Sequence, residues 1–97
     1  MSYQSKLKSK EMDSLFDAVL KLETSEECYR FFEDLCTIGE LQAMAQRLDV
    51  AFALSKGITY HEIAESTGAS TATISRINKC LVYGANGYSL ILDRMKK

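Results

Sequence analysis

The chain has 97 residues, with 12 Lys+Arg against 13 Asp+Glu, one His, three Cys, no Pro and no Trp. That length allows one small domain and excludes an enzyme with separate cofactor and substrate domains. At 46% hydrophobic and 26% charged residues it excludes wholesale disorder, while a net charge of −1 gives by itself no sign of a nucleic-acid partner.

Residues 1–8 are polar, lack the apolar core of a signal peptide and read as a flexible N-terminus of a cytoplasmic protein. Met12, Leu15, Phe16, Val19 and Leu20 then recur at helical spacing and predict a first helix over about 9–22. Thr24 and Glu27 form a capping box, in which a hydroxyl and a carboxylate satisfy orphan N–H groups at a helix start. The second helix covers about 25–35, with Cys28, Phe31, Phe32, Leu35 and Cys36 as its apolar positions. Thr37 and Glu40 repeat the signature and open a third helix, about 38–56, whose stripe is Leu41, Met44, Ala45, Leu48, Ala51, Phe52 and Ser55. Lys56 and Gly57 close it. Thr59 and Glu62 open a short fourth helix that ends near Thr67, followed by Gly68. Ser70 caps a fifth helix over about 71–83, carrying Ile74, Ile77, Leu81 and Val82, and Gly84 ends it. After Asn86 and Gly87, the residues Tyr88, Ile91, Leu92 and Met95 predict a last short helix. The uncharged stretch Val82 to Leu92 is too short and too rich in Gly, Asn and Ser for a membrane span. The reading is all-α: six helices and no strand.

The cysteines form no CxxC pair, and the lone His61 completes no ligand set, so no metal and no cofactor is expected. Cys28, Cys36 and Cys80 are read as reduced, buried thiols that pack as small hydrophobes. No Ser/His/Asp set, phosphate loop or paired carboxylates suggests catalysis, so the chain is not read as an enzyme.

The segment Thr59 to Leu81 carries the function. A short helix, a tight turn and a second helix make a helix-turn-helix. Its steep crossing demands an apolar residue at Ile63, a small one at Ala64 and a positive φ at Gly68. It also demands that Ile74 and Ile77 pack the second helix back onto the first. Such a helix sets its N-terminal residues into the major groove, here Ser70, Thr71, Ala72 and Thr73, with Arg76 one turn on. They are small and polar, as close approach requires. Arg76 is suited to guanine O6/N7 and Lys79 to phosphate. His61, on the first helix, is at most a phosphate contact.

From helix three onward, CTIGELQAMAQRLDVAFALSKGITYHEIAESTGASTATISRINKCL resembles the tryptophan-repressor family, and within it the YerC/YecD-type branch. The resemblance spans roughly residues 10–95. It implies an all-helical homodimer with interlocked N-terminal helices and two reading heads. It also implies a corepressor pocket, in which Arg47 and Arg76 match two arginines that sandwich an indole and Thr37 matches a lining threonine. Two positions depart from the pattern: Ile77 stands where the ring needs a glycine, and Cys80 where a serine helps hold the ligand's amino group. The expected protein therefore does not respond to tryptophan, with a different small-molecule corepressor left open.

Dimerisation has an independent argument. Phe16, Phe31, Phe32 and Phe52, with Tyr29, are more aromatic surface than two short helices and part of a third can bury alone, so a second copy is expected to share that core. The single domain is thus divided into the N-terminus 1–8, dimerisation helices 9–57, the helix-turn-helix 58–83 and the C-terminal helix 84–97. Two-fold symmetry predicts double-stranded DNA with a palindromic operator as the partner. The charge is unevenly split. Residues 1–55 hold six basic and ten acidic side chains, and residues 56–97 hold six and three. The expected function is that of a sequence-specific DNA-binding transcriptional regulator, a repressor. The competing reading is a helical protein-interaction module whose helix-turn-helix is structural, favoured by the thin basic charge on the second helix.

Overall fold

The computed structural model describes residues 3–96. They form six α-helices: α1 (Lys10–Val19), α2 (Ser25–Leu35), α3 (Ile38–Ser55), α4 (Tyr60–Thr67), α5 (Thr71–Tyr83) and α6 (Gly87–Arg94). The chain divides into two compact units, one up to Thr37 and one from Ile38 onward.

In the first unit both helices start on hydroxyl caps. Ser9 accepts the Met12 N–H at 3.1 Å, and Thr24 accepts the Glu27 N–H at 3.1 Å. The Glu27 carboxylate reaches back to the Glu23 N–H at 2.8 Å, one residue beyond the cap itself. Helix α1 is shorter than its apolar spacing predicts. After Val19 the chain tightens, with Lys21 and Leu22 bonding the carbonyls three residues back, Ala18 and Val19, before it extends into the Thr24 cap. No residue of α1 or α2 is buried. Phe31 and Phe32 pack edge to face, with centroids 5.4 Å apart at 78°. By contrast Phe16 is 53% exposed, Leu20 81% and Tyr29 71%.

The second unit holds the core. Helix α3 packs against α4, α5 and α6, α4 packs on α5, and α5 on α6. Val50, Ala51, Ile63, Ala69, Ile74 and Ile77 are buried together, with Leu54, Ile58, Ala64, Tyr88 and Leu92 against them. The α3 stripe read from the sequence is only partly the core face. Ala51 belongs to the core, but Val50 joins it from outside the stripe, and Ala45 and Met44 are exposed, Met44 to 41%. A helix apolar on more than one side has more than one surface to cover, and periodicity alone does not say which is covered first. Gly57, at φ 77, ends α3 in the left-handed region.

The cysteine expectation fails in part. Cys28 and Cys80 are exposed and Cys36 is half-buried, all three free. Cys28, on α2, and Cys80, on α5, lie on solvent-facing sides of their helices. Among the described residues no helix is long and apolar enough to cross a membrane.

Replacing Ile74 by Ala should cost about 2–5 kcal/mol in urea unfolding at fixed protein concentration, since its side chain is fully buried. Ser70→Ala, which removes only a cap, should cost about 1 kcal/mol.

Candidate nucleic-acid interface

The site is the α4–turn–α5 segment, and each part has a local cause. Thr59 starts α4 by accepting the Glu62 N–H at 3.2 Å. Gly68 ends it at φ 76, ψ 4, with its N–H on the Ala64 carbonyl. The Thr67 hydroxyl donates to the Ile63 carbonyl at 2.7 Å and accepts the Ala69 N–H at 3.2 Å. Ala69 tucks into the core. Ser70 then caps α5, accepting the Thr73 N–H at 3.1 Å and donating to Thr73 Oγ1 at 3.1 Å. The five positions demanded by a steep crossing are occupied as the spacing requires: Ile63, Ile74 and Ile77 are buried, Ala64 packs beside them, and Gly68 is left-handed.

The outer side of α5 is open. Ser70, Thr71, Ala72, Arg76 and Lys79 are exposed, and Thr73 is half-buried and bonded to Ser70. Arg76 and Lys79 form no hydrogen bond or ion pair with the described residues, so both charges face outward, free for an anion. Six candidate DNA contacts therefore lie on one continuous stretch. His61 is exposed on α4 and stands 3.5 Å from Glu65, a surface pair of little energetic weight.

Of the effector-pocket candidates in the second unit, two line one groove. Arg76 and Cys80 line an open groove of about 560 Å³ along α5 with Ala72, Lys79 and Tyr83. Ile77 points the other way, into the core at 4% exposure. Arg47 is exposed on α3. Among the described residues no cluster of three or more His, Cys, Asp or Glu could hold a metal ion.

One feature escaped the sequence reading. Gln46 Nε2, on α3, donates to the carbonyl of Thr67 at 3.1 Å, across 21 residues. No spacing rule couples positions that far apart. The only hint in the sequence is a polar residue set between Ala45 and Leu48 on a helix rich in apolar side chains.

The family model for the Trp repressor protein matches residues 10–96. The uncharacterised protein YerC of Bacillus subtilis (strain 168) is 59% identical over 92 residues, which make up 95% of this chain and 88% of YerC. Two solved structures share the fold closely. A candidate Trp repressor from Staphylococcus aureus superposes with a TM-score of 0.89 at 53% identity, covering 93% of this chain and 90% of that one. A TrpR-like protein from Eubacterium eligens ATCC 27750 gives 0.90 at 50% identity, covering 93% of each.

A Cβ added at Gly68 meets no atom within 4 Å. Gly68→Ala should therefore cost only the backbone penalty of a left-handed L-residue, about 1–2 kcal/mol. Thermal unfolding should show that loss with the helical circular-dichroism signal intact.

Proposed function

This chain belongs to the Trp repressor family, and on that premise we propose that it is a dimeric, sequence-specific DNA-binding regulator of transcription, a repressor that sets α5 into the major groove. The observation that carries the reading is the division of α5 into two sides. Ile74 and Ile77 anchor it to the core, while its outer, N-terminal half presents small side chains and an unpaired arginine. Thr71 and Ala72 are small enough to bring methyl groups against thymine, and Arg76 has the reach and fork to clamp guanine O6/N7. The Ser70–Thr73 hydroxyl pair sits at the positive end of α5, where the cap meets a phosphate oxygen. Lys79, further along, neutralises phosphate. That role carries a cytoplasmic location with it.

The uncovered apolar surface supports dimerisation. Phe16, Leu20, Tyr29 and Leu35 in the first unit, and Met44 on α3, are large apolar residues left to solvent in a single chain. A soluble monomer rarely exposes so much. A second copy related by a two-fold axis covers it, and two reading heads then face two half-sites of a palindrome. Tryptophan is not part of the proposal. A branched side chain seated in the core at position 77 leaves no glycine gap for an indole, and Cys80 replaces the polar partner of the ligand's amino group.

Selection from a randomised duplex pool, followed by gel shift on the winner, tests the DNA reading. Arg76→Ala should lose about 1–3 kcal/mol on the selected duplex and far less on random DNA. Lys79→Ala should weaken both alike and lower the salt slope by about 0.9. No specific binding at low salt, with wild type and Arg76→Ala indistinguishable, would sink the proposal and leave the protein-interaction module standing. Sedimentation should find a dimer at micromolar concentration; a folded monomer there contradicts the shared core.

A further inference from the structure

Helix α5 leaves α4 through the turn Thr67–Gly68–Ala69–Ser70, and everything α5 presents depends on the angle at which it leaves. Two devices inside the motif shape that turn: left-handed Gly68, and the Thr67 hydroxyl that holds the Ile63 carbonyl and the Ala69 N–H. A third comes from outside it. The part-buried Gln46 amide on α3 donates to the Thr67 carbonyl at 3.1 Å. That carbonyl is one of the last-turn acceptors a helix leaves without an intrahelical donor. The remaining seam between α3 and the motif runs through Val50, Ala51, Ile63, Ile74 and Ile77, all apolar. Apolar burial is itself non-directional, and side-chain packing sets a crossing angle only to within about 15–20°. A hydrogen bond is directional and weakens steeply off axis.

We propose that Gln46 is a positioning residue for DNA reading: by holding the Thr67 carbonyl it fixes the tilt of α5 and so the register of Ser70–Thr73 and Arg76 on the bases. The inference rests on the reading of α5 as the recognition helix. The lever is long enough to matter. Arg76 lies six residues past Ser70, about 9 Å along the axis, so a tilt of ~10° at the turn moves it by about 1.5 Å. That displacement takes a base hydrogen bond out of its narrow distance range. Phosphate contacts, made by flexible and long side chains to a repeating backbone, tolerate it.

The test uses the full chain as wild type, Gln46→Leu, which keeps the bulk and removes the donor, and Gln46→Glu, which turns an acceptor on the Thr67 carbonyl. Gln46→Met replaces the leucine variant if that one folds poorly. The probes are the duplex selected by the wild-type protein and a random-sequence duplex of equal length. Expected is a loss of about tenfold on the selected duplex, the size of one neutral hydrogen bond, with under about twofold change on the random one and an unchanged salt slope. Amide exchange at Ala69 should quicken by about tenfold in the variants, while Ile74 and Ile77 keep their protection. Equal losses on both duplexes, or unchanged exchange at Ala69, overturn the positioning role alone. An empty wild-type selection overturns the DNA reading, and this inference with it.

Discussion

Helix α3 carries apolar side chains around much of its circumference, and the core of the second unit covers only part of that surface. Val50 and Ala51 close the core beneath α4 and α5. A different row, running through Met44, remains open to solvent in the single chain. The helix is thus a floor for α4 and α5 on one side and, in the proposed dimer, part of a shared core on the other. In the proposed dimer, this helix of 18 residues would hold the two copies of α5 at a defined spacing.

Above this floor the motif separates cohesion from geometry. Ile63, Ile74 and Ile77 supply buried area, which is non-directional. Direction comes from a few polar groups and one backbone conformation: Gly68 in the left-handed region, the Thr67 hydroxyl, the Ser70 cap and the Gln46 amide. The outer side of α5 is free of structural duty apart from its cap. That freedom leaves Thr71, Ala72, Arg76 and Lys79 open for the proposed contacts to DNA.

Charge follows the same partition. The acidic half of the chain lies before residue 56 and the basic excess after it, so a net charge near zero conceals a mildly basic reading half. The ion pairs Lys8–Asp13, Arg30–Glu26, His61–Glu65 and Lys96–Asp93 are exposed, and each contributes little to stability. In the proposed DNA reading, specificity therefore rests on the fit of α5 more than on a general attraction to DNA.

Most of the fold was legible locally. Caps at Thr24, Thr59 and Ser70 and the glycines at 57 and 68 act over three or four residues, and α2, α4 and α5 begin and end where those signals say. The motif was equally legible, because a steep helix crossing imposes fixed spacings on Ile63, Ala64, Gly68, Ile74 and Ile77. Three things were not. The chain could not say which side of α3 is buried, since periodicity marks an apolar face without naming its partner. It could not say that Cys28 and Cys80 are exposed, because burial is decided by neighbours distant in sequence. Nor could it couple Gln46 to Thr67, a hydrogen bond that exists only once α3 and α4 have packed. Local chemistry decides where helices start and stop, and only packing brings together groups 21 residues apart.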